Sequence, residues 1–212
     1  MQIKYIFLLL LVCCTVANAR PVSYPGAWTA QTFNDGDRHV FNAHYSPTAY
    51  YAIGYNAEYI RDDKYQIHAI HMNNLLKRWN GEGSQANFYV QTGVGAAYSD
   101  EDEFDSHTEL AAFMGISTDW ETRRYFIQYQ NRYLDAGNIA DKFSQKLKAG
   151  IAPYVADYGS IHTWLMLELR HAPESEDQLV ATPLVRLFSG PNLLEAGVSD
   201  DGDVQFNFVH RF

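Results

Sequence analysis

Cysteine is nearly missing from this chain of 212 residues, and its two copies, Cys13 and Cys14, sit side by side near the start. If that start is a removable leader, the mature chain has no cysteine, which excludes disulfides, thiolate metal sites and cysteine nucleophiles together. Long apolar runs are missing too. Beyond residue 19 no stretch of 18 apolar residues occurs, so nothing there crosses a membrane as a helix. Bases are scarce, with 16 Lys plus Arg against 25 Asp plus Glu, a poor balance for nucleic acid. No repeat, linker or low-complexity stretch divides the chain. What it has in quantity is aromatic residues, at 15% and mostly tyrosine.

The first nineteen residues read as a secretory signal. Lys4 precedes the apolar stretch Tyr5 to Val12, and Ala17-Asn18-Ala19 supplies the small residues a signal peptidase cuts after. Val12 and Cys13 match a lipoprotein cleavage box poorly, so no lipid anchor is expected. Cleavage leaves Arg20 first, takes the net charge from −9 to −10 with the loss of Lys4, and leaves residues 20–212 as a single domain.

Turn formers cut that domain into twelve segments of strand character: 28–32, 39–45, 49–61, 65–79, 85–98, 107–120, 123–135, 142–155, 161–171, 179–188, 192–199 and 203–212. Ten is the alternative, should the first segment and the one holding Pro183 fail. Pro183 cannot donate to a ladder and marks a bulge or an irregular spot. The last segment alternates most cleanly. Val204, Phe206, Phe208, His210 and Phe212 are large, while Gln205, Asn207 and Arg211 between them are polar and Val209 is the exception. A period of two puts one apolar and one wet face on a strand.

A chain that ends on an aromatic in such a strand resembles the small outer-membrane β-barrels of Gram-negative bacteria. The resemblance departs at His210. It implies an all-β fold, a closed antiparallel transmembrane barrel of about twelve strands, an outer-membrane location, and Phe206, Phe208 and Phe212 as an assembly signal for the barrel assembly machinery. Outer-membrane lipids and lipopolysaccharide become the expected partners, and a monomer the expected state, because a closed barrel has no edge to pair.

Loop chemistry follows the same topology. With an even strand count, connections alternate between two sides. One side collects seventeen acids, at positions 35, 37, 62, 63, 100–103, 105, 135, 141, 174, 176, 177, 200, 201 and 203, and the other only Glu82, Asp119, Glu121 and Asp157. The acidic side is read as extracellular. Trp28, Tyr45, Tyr51, Trp79, Phe88, Trp120 and Phe212 fall near the opposite ends of the strands, and Tyr59, Tyr65, Tyr98 and Tyr133 near the acidic ends, as two aromatic belts. Between the belts Ile53, Val94, Leu110, Met114, Leu165 and Val185 are among the outward, lipid-compatible positions. A soluble calycin-like barrel has the same period with its apolar side turned in.

With the polar face inward, the lumen is lined by Glu58, Glu109, Glu168 and Glu195 and by Arg124, Arg132, Lys146, Lys148, Arg170, Arg186 and Arg211. Either these form ion pairs that plug the interior, or the basic surplus lines an anion-accepting path. Lys146 and Lys148 are expected to gather with Arg132 without enough carboxylates. Gly93 and Gly95 leave room for a bulky neighbour such as Trp164, or for solute.

Enzyme and metal readings are weaker. His44-Tyr45-Ser46 resembles the His-x-Ser pair of outer-membrane lipid A deacylases, but parity turns His44 inward near the side opposite the outer leaflet, and no glutamate is placed to orient it. His68 and His71 point to opposite faces, as do His39 and His44, and His107 beside Asp105 and Glu109 fits no recognised ligand spacing. No cofactor is expected beyond calcium or magnesium held loosely at the acidic loops. Three functions stay open: a small passive channel with a slightly basic lumen, a non-conducting structural or surface-interaction barrel, and a lipid-modifying enzyme.

Overall fold

The computed structural model describes residues 21–99, 107–157, 159–175 and 178–212. Its regular structure is twelve strands: β1 (Ala27–Asn34), β2 (Arg38–Ser46), β3 (Tyr51–Ile60), β4 (Tyr65–Gly81), β5 (Ser84–Ser99), β6 (Thr108–Thr122), β7 (Tyr125–Ala136), β8 (Ala140–Ile151), β9 (His162–His171), β10 (Leu179–Ser189), β11 (Asn192–Val198) and β12 (Val204–Arg211). Each pairs antiparallel with its neighbours in sequence, and β1 pairs with β12, so the sheet closes and leaves no edge. The count is twelve, not ten.

The wall is inside-out relative to a soluble barrel. Leu110 is 72% exposed, Ile70 65% and Val94 55%, whereas the alternate positions bury Glu58, Glu168 and Glu195. The apolar face therefore looks outward, and the calycin-like alternative falls. All loops after odd strands lie at one end, the upper end; the turns after even strands, the start of β1 and the end of β12 lie at the lower. Trp28, Tyr45, Trp79, Trp120 and Phe212 are exposed near the lower rim, and Tyr59, Tyr98 and Tyr133 near the upper.

Tyr65 corrects the upper belt. It is buried among Ile67, Ala69, Ala97, Ala111 and Leu134 inside the barrel. Tyr65 and Trp79 are an even number of residues apart on one strand, so a regular pleat cannot send one in and the other out. A bulge resolves the conflict: the β4–β5 register shifts between Leu75 and Lys77, skipping Leu76. Below it Trp79 turns to the outside and Arg78 reaches in. Pro183 marks no bulge, but it does mark an irregular spot. The β9–β10 register runs through Pro183↔Leu167 without a shift, and the β10–β11 ladder begins one residue later at Leu184↔Gly197.

The seam between first and last strands is tied at the lower rim, where the Phe212 amide donates to the Trp28 carbonyl at 2.9 Å and the Tyr24 hydroxyl to the Phe212 carbonyl at 2.9 Å. Phe206, Phe208 and Phe212 all face outward from it.

Candidate solute path through the barrel

Three ion pairs cross the lumen in its upper half. Arg132 Nη1 on β7 meets Glu58 Oε2 on β3 at 2.9 Å, Lys142 Nζ on β8 meets Asp63 Oδ2 in the β3–β4 turn at 3.3 Å, and Arg170 on β9 meets Asp37 in the β1–β2 turn. The acids come from the first quarter of the ring and the bases from its opposite side, so the ties share one polarity. Burial holds the Asp37 carboxyl above the ordinary aspartate range, desolvation outweighing the attraction of Arg170. Arg132 is also held from behind, its guanidinium lying 4.2 Å from the centre of the Phe113 ring. That ring has its place because Gly93 faces it across the β5–β6 ladder, where a Cβ would run into the ring atoms. Phe113, not Trp164, fills the space the glycine leaves; Trp164 packs edge-on to Phe126 at 6.4 Å.

Below these ties a charged ladder runs along β8 to β11. Lys146 Nζ lies 3.3 Å from Glu168 Oε1, Lys148 Nζ 2.9 Å from Glu168 Oε2 and 3.0 Å from Glu195 Oε2, and Arg186 Nη2 2.6 Å from Glu195 Oε1. Asn207 adds a hydrogen bond to Glu195 at 2.7 Å. Lys146 also sits 3.9 Å above the Phe33 ring from across the barrel. Lys146, Lys148 and Arg132 do line one cavity, as expected, but each is paired with a carboxylate: Glu168 and Glu195 hold the lysines and Glu58 holds Arg132. The sequence supplies the inward-facing acids and bases but not their matches, because register decides which of them meet.

Two cavities remain around this network. The upper one, about 460 Å³, is lined by Asp37, Asp62, Asp63, Lys142, Arg170 and Glu174 among others. The second, about 270 Å³, lies at mid-barrel, where Arg38, Arg132, Lys146, Lys148 and Arg186 face Glu58, Glu168 and Glu195 beside a set of amides. Arg38, Glu58, Arg132 and Ser144 line both, so this group is the waist between them.

The remaining lumen candidates are dispersed. Glu109 sits near the upper rim, accepting from Asn138 Nδ2 at 3.3 Å. Arg124 is exposed in the β6–β7 turn, donating to the Pro153 carbonyl at 3.3 Å, because the turn takes it out of the pleat. Arg211 faces in near the lower end, level in register with Thr29. Sequence reading missed Arg38, which opens β2 at the waist, and a relay in which Arg78 Nε donates to Asn87 Oδ1 and Asn87 Nδ2 to Asp119 Oδ1, both at 2.7 Å. The bulge at Leu76 hid Arg78, since an unbroken alternation points it outward.

The lower lumen is packed. Val22, Ala52, Leu75 and Tyr89 form one buried cluster there, and Phe126, Ala152, Trp164, Met166 and Leu184 another. His44 and His71 are buried close by, their rings edge-to-face at 6.0 Å, while His68 sits outside between Tyr55 and Tyr98. His44 Nδ1 meets Asn42 Oδ1 at 3.2 Å. Ser46 Oγ accepts the Ser23 amide. His107 lies at the upper rim with Nδ1 3.2 Å from the Ser99 carbonyl; its neighbour Asp105 falls outside the described residues. Among the described residues no three His, Cys, Asp or Glu side chains gather as a metal site would require.

A solved structure of the KdgM porin, in complex with disordered oligogalacturonate, aligns with this chain at a TM-score of 0.52, covering 88% of this chain and 98% of the porin at 7% identity. The fold is that of an outer-membrane β-barrel. OmpT, an outer membrane protein of Vibrio cholerae, matches in two forms: a loop L8 deletion at TM-score 0.30 and 11% identity over 88% of this chain and 97% of that one, and an in-vitro folded form at 0.28 and 10% over 92% and 99%. No protein-family model and no curated protein matches. At such identity the likeness extends to the barrel, not to its residues.

Proposed function

We propose that this protein is a narrow passive channel of the bacterial outer membrane whose interior favours small anions. The upper end, with its acidic loops, is extracellular and the lower end periplasmic. The observation that carries the reading is the pair of cavities, about 460 and 270 Å³, meeting at a waist of Arg38, Glu58 and Arg132. At mid-barrel five cations face three carboxylates, and a low-dielectric wall focuses the field of that surplus. A porin is among the structures that share the fold. The acidic loops take part in bridging outer-leaflet phosphates through calcium or magnesium, and the barrel works as a monomer.

The second reading, a non-conducting barrel that meets lipopolysaccharide or an outside partner, is favoured by the packed lower lumen. The lipid-modifying enzyme stays the third reading, since Asn42, not a carboxylate, meets the His44 ring. Purified protein in a planar bilayer separates the two readings. Resolved current steps are expected; a folded, heat-shifting barrel that inserts and stays silent overturns the channel.

A further inference from the structure

The residues before β1 do not hang below the barrel. Residues 21–26 turn up into its lower mouth: the Gly26 amide donates to the Ser46 carbonyl at 2.8 Å, the Ser23 amide to Ser46 Oγ at 3.0 Å, and Asn73 Nδ2 to the Pro21 carbonyl at 3.0 Å. Asn73 lies above Leu75 on β4, which descends to the lower turn, so the segment climbs as it is traced back from β1. Val22 is 2% exposed, seated on Ala52, Leu75 and Tyr89.

That seat is shaped for an added side chain. The inward residue of β3 behind it is Ala52, where the wall has little bulk of its own. The two anchors, Ser46 Oγ and Asn73 Nδ2, are polar groups of a buried wall that meet the segment's backbone. Burying them with no partner is costly, so they favour an occupant that offers an amide and a carbonyl at this spacing. Peptide backbone does so. Tyr24, Pro25 and Gly26 are exposed, so the segment is held by Val22 and a few hydrogen bonds, with a solvated hinge beneath. Cleavage after Ala19, expected from the sequence, would make it a free chain end with one residue before Pro21.

We infer that residues 21–24 are a stopper, an intramolecular ligand seated in the periplasmic mouth, and that their withdrawal joins the mid-barrel cavity to the periplasm. This rests on the channel reading and accounts for how a barrel with a packed floor conducts. Val22, Ala52, Leu75 and Tyr89 are the seat, and above Ala52 the buried pair His44 and His71 lines the way to the mid-barrel cavity. Tyr24 guides the segment, its hydroxyl tied to the carbonyl of Phe212 just past the end of β12.

The test uses the whole protein; both native cysteines, Cys13 and Cys14, lie in the expected leader. Ser23→Cys combined with Ser46→Cys puts one thiol on residue 23, whose backbone amide lies 3.0 Å from the Ser46 side-chain oxygen that the other thiol replaces, so the two residues stand within the reach of a disulfide. Oxidised, this variant is expected to lose its current steps in a planar bilayer, and reductant to restore them. Val22→Asp, which puts an unpaired carboxylate into the apolar seat, is expected to conduct with fewer closures than the parent, its folding checked by the heat shift on a gel. A bridged variant that conducts as well as its reduced form removes the stopper and leaves the channel standing. Failure of the bridge to form in folded protein removes the seat. If parent, reduced and Val22→Asp forms are all silent, channel and stopper fall together.

Discussion

The upper and lower halves of the lumen solve the same problem in opposite ways. Both must fill a ring of twelve strands, a size between barrels closed by their side chains and barrels with an open channel. Above, long charged side chains reach across in ties such as Arg132–Glu58 and leave cavities around them. Below, Val22, Leu75, Tyr89, Phe126 and Trp164 fill the space with apolar volume. Charged ties cannot pack to organic-crystal density without burying unpaired groups, so a charged half keeps room for water and ions, and an apolar half does not. On the channel reading proposed above, the gate belongs to the packed half and the selectivity to the charged one.

Breaking the charged half is expected to have the largest effect. Glu195→Ala removes the carboxylate between Lys148 and Arg186 and leaves both buried cations short of a partner, at a cost of about 3–5 kcal/mol. Unfolding in urea, monitored by loss of the heat-shifted band, measures it. Lys148→Glu is expected to fail to fold for the same reason, with three carboxylates then crowded on one wall.

In the packed half the comparable change, Leu75→Ala, leaves a cavity under Val22 and is expected to cost about 2–3 kcal/mol. The same urea series checks it. A loss larger than that of Glu195→Ala would reverse the comparison.

Gly93→Leu sharpens the boundary between the halves. The new side chain pushes Phe113 from beneath Arg132, at about 1–3 kcal/mol, and widens the waist. Made in a Phe113→Ala background the substitution is expected to lose most of that cost, because the clash partner is gone; an unchanged cost would place the strain elsewhere.

The smallest effect is a pH response at the upper rim. The folded Asp37 carboxyl takes its proton above the 3.8 of an ordinary aspartate, because burial outweighs its pairing with Arg170, so the folded barrel binds that proton more tightly than the unfolded chain does and acid relieves this site. Protonation frees Arg170. Anion preference is expected to rise as pH falls towards that value, and the rise to vanish in Asp37→Asn.

The wall was legible in the sequence because alternation, turn residues and side-biased acids all report the same topology. The twelve segments match the twelve strands in order, and the outward apolar residues face out. Leu76 was not legible. A single extra residue in a seventeen-residue strand leaves no mark in composition, although the shared parity of Tyr65 and Trp79 was a clue that one of them had to turn in. The lumen was legible only as an inventory. Glu58 and Arg132 are 74 residues apart, and what brings them together is ring closure, which the pattern along one strand does not encode. Pro21 to Tyr24 lay outside every strand, in a stretch with no period to read.

Whether the mid-barrel surplus or the acidic rim governs the ions that pass is decided by the reversal potential of the unmodified protein across a planar bilayer with a salt gradient. The five cations facing three carboxylates at mid-barrel give an anion-selective potential at low salt that fades as salt rises, since charges more than about 10 Å apart are screened at 0.1 M. A cation-selective potential would put control in the acidic loops and contradict the assignment of selectivity to the charged half of the lumen.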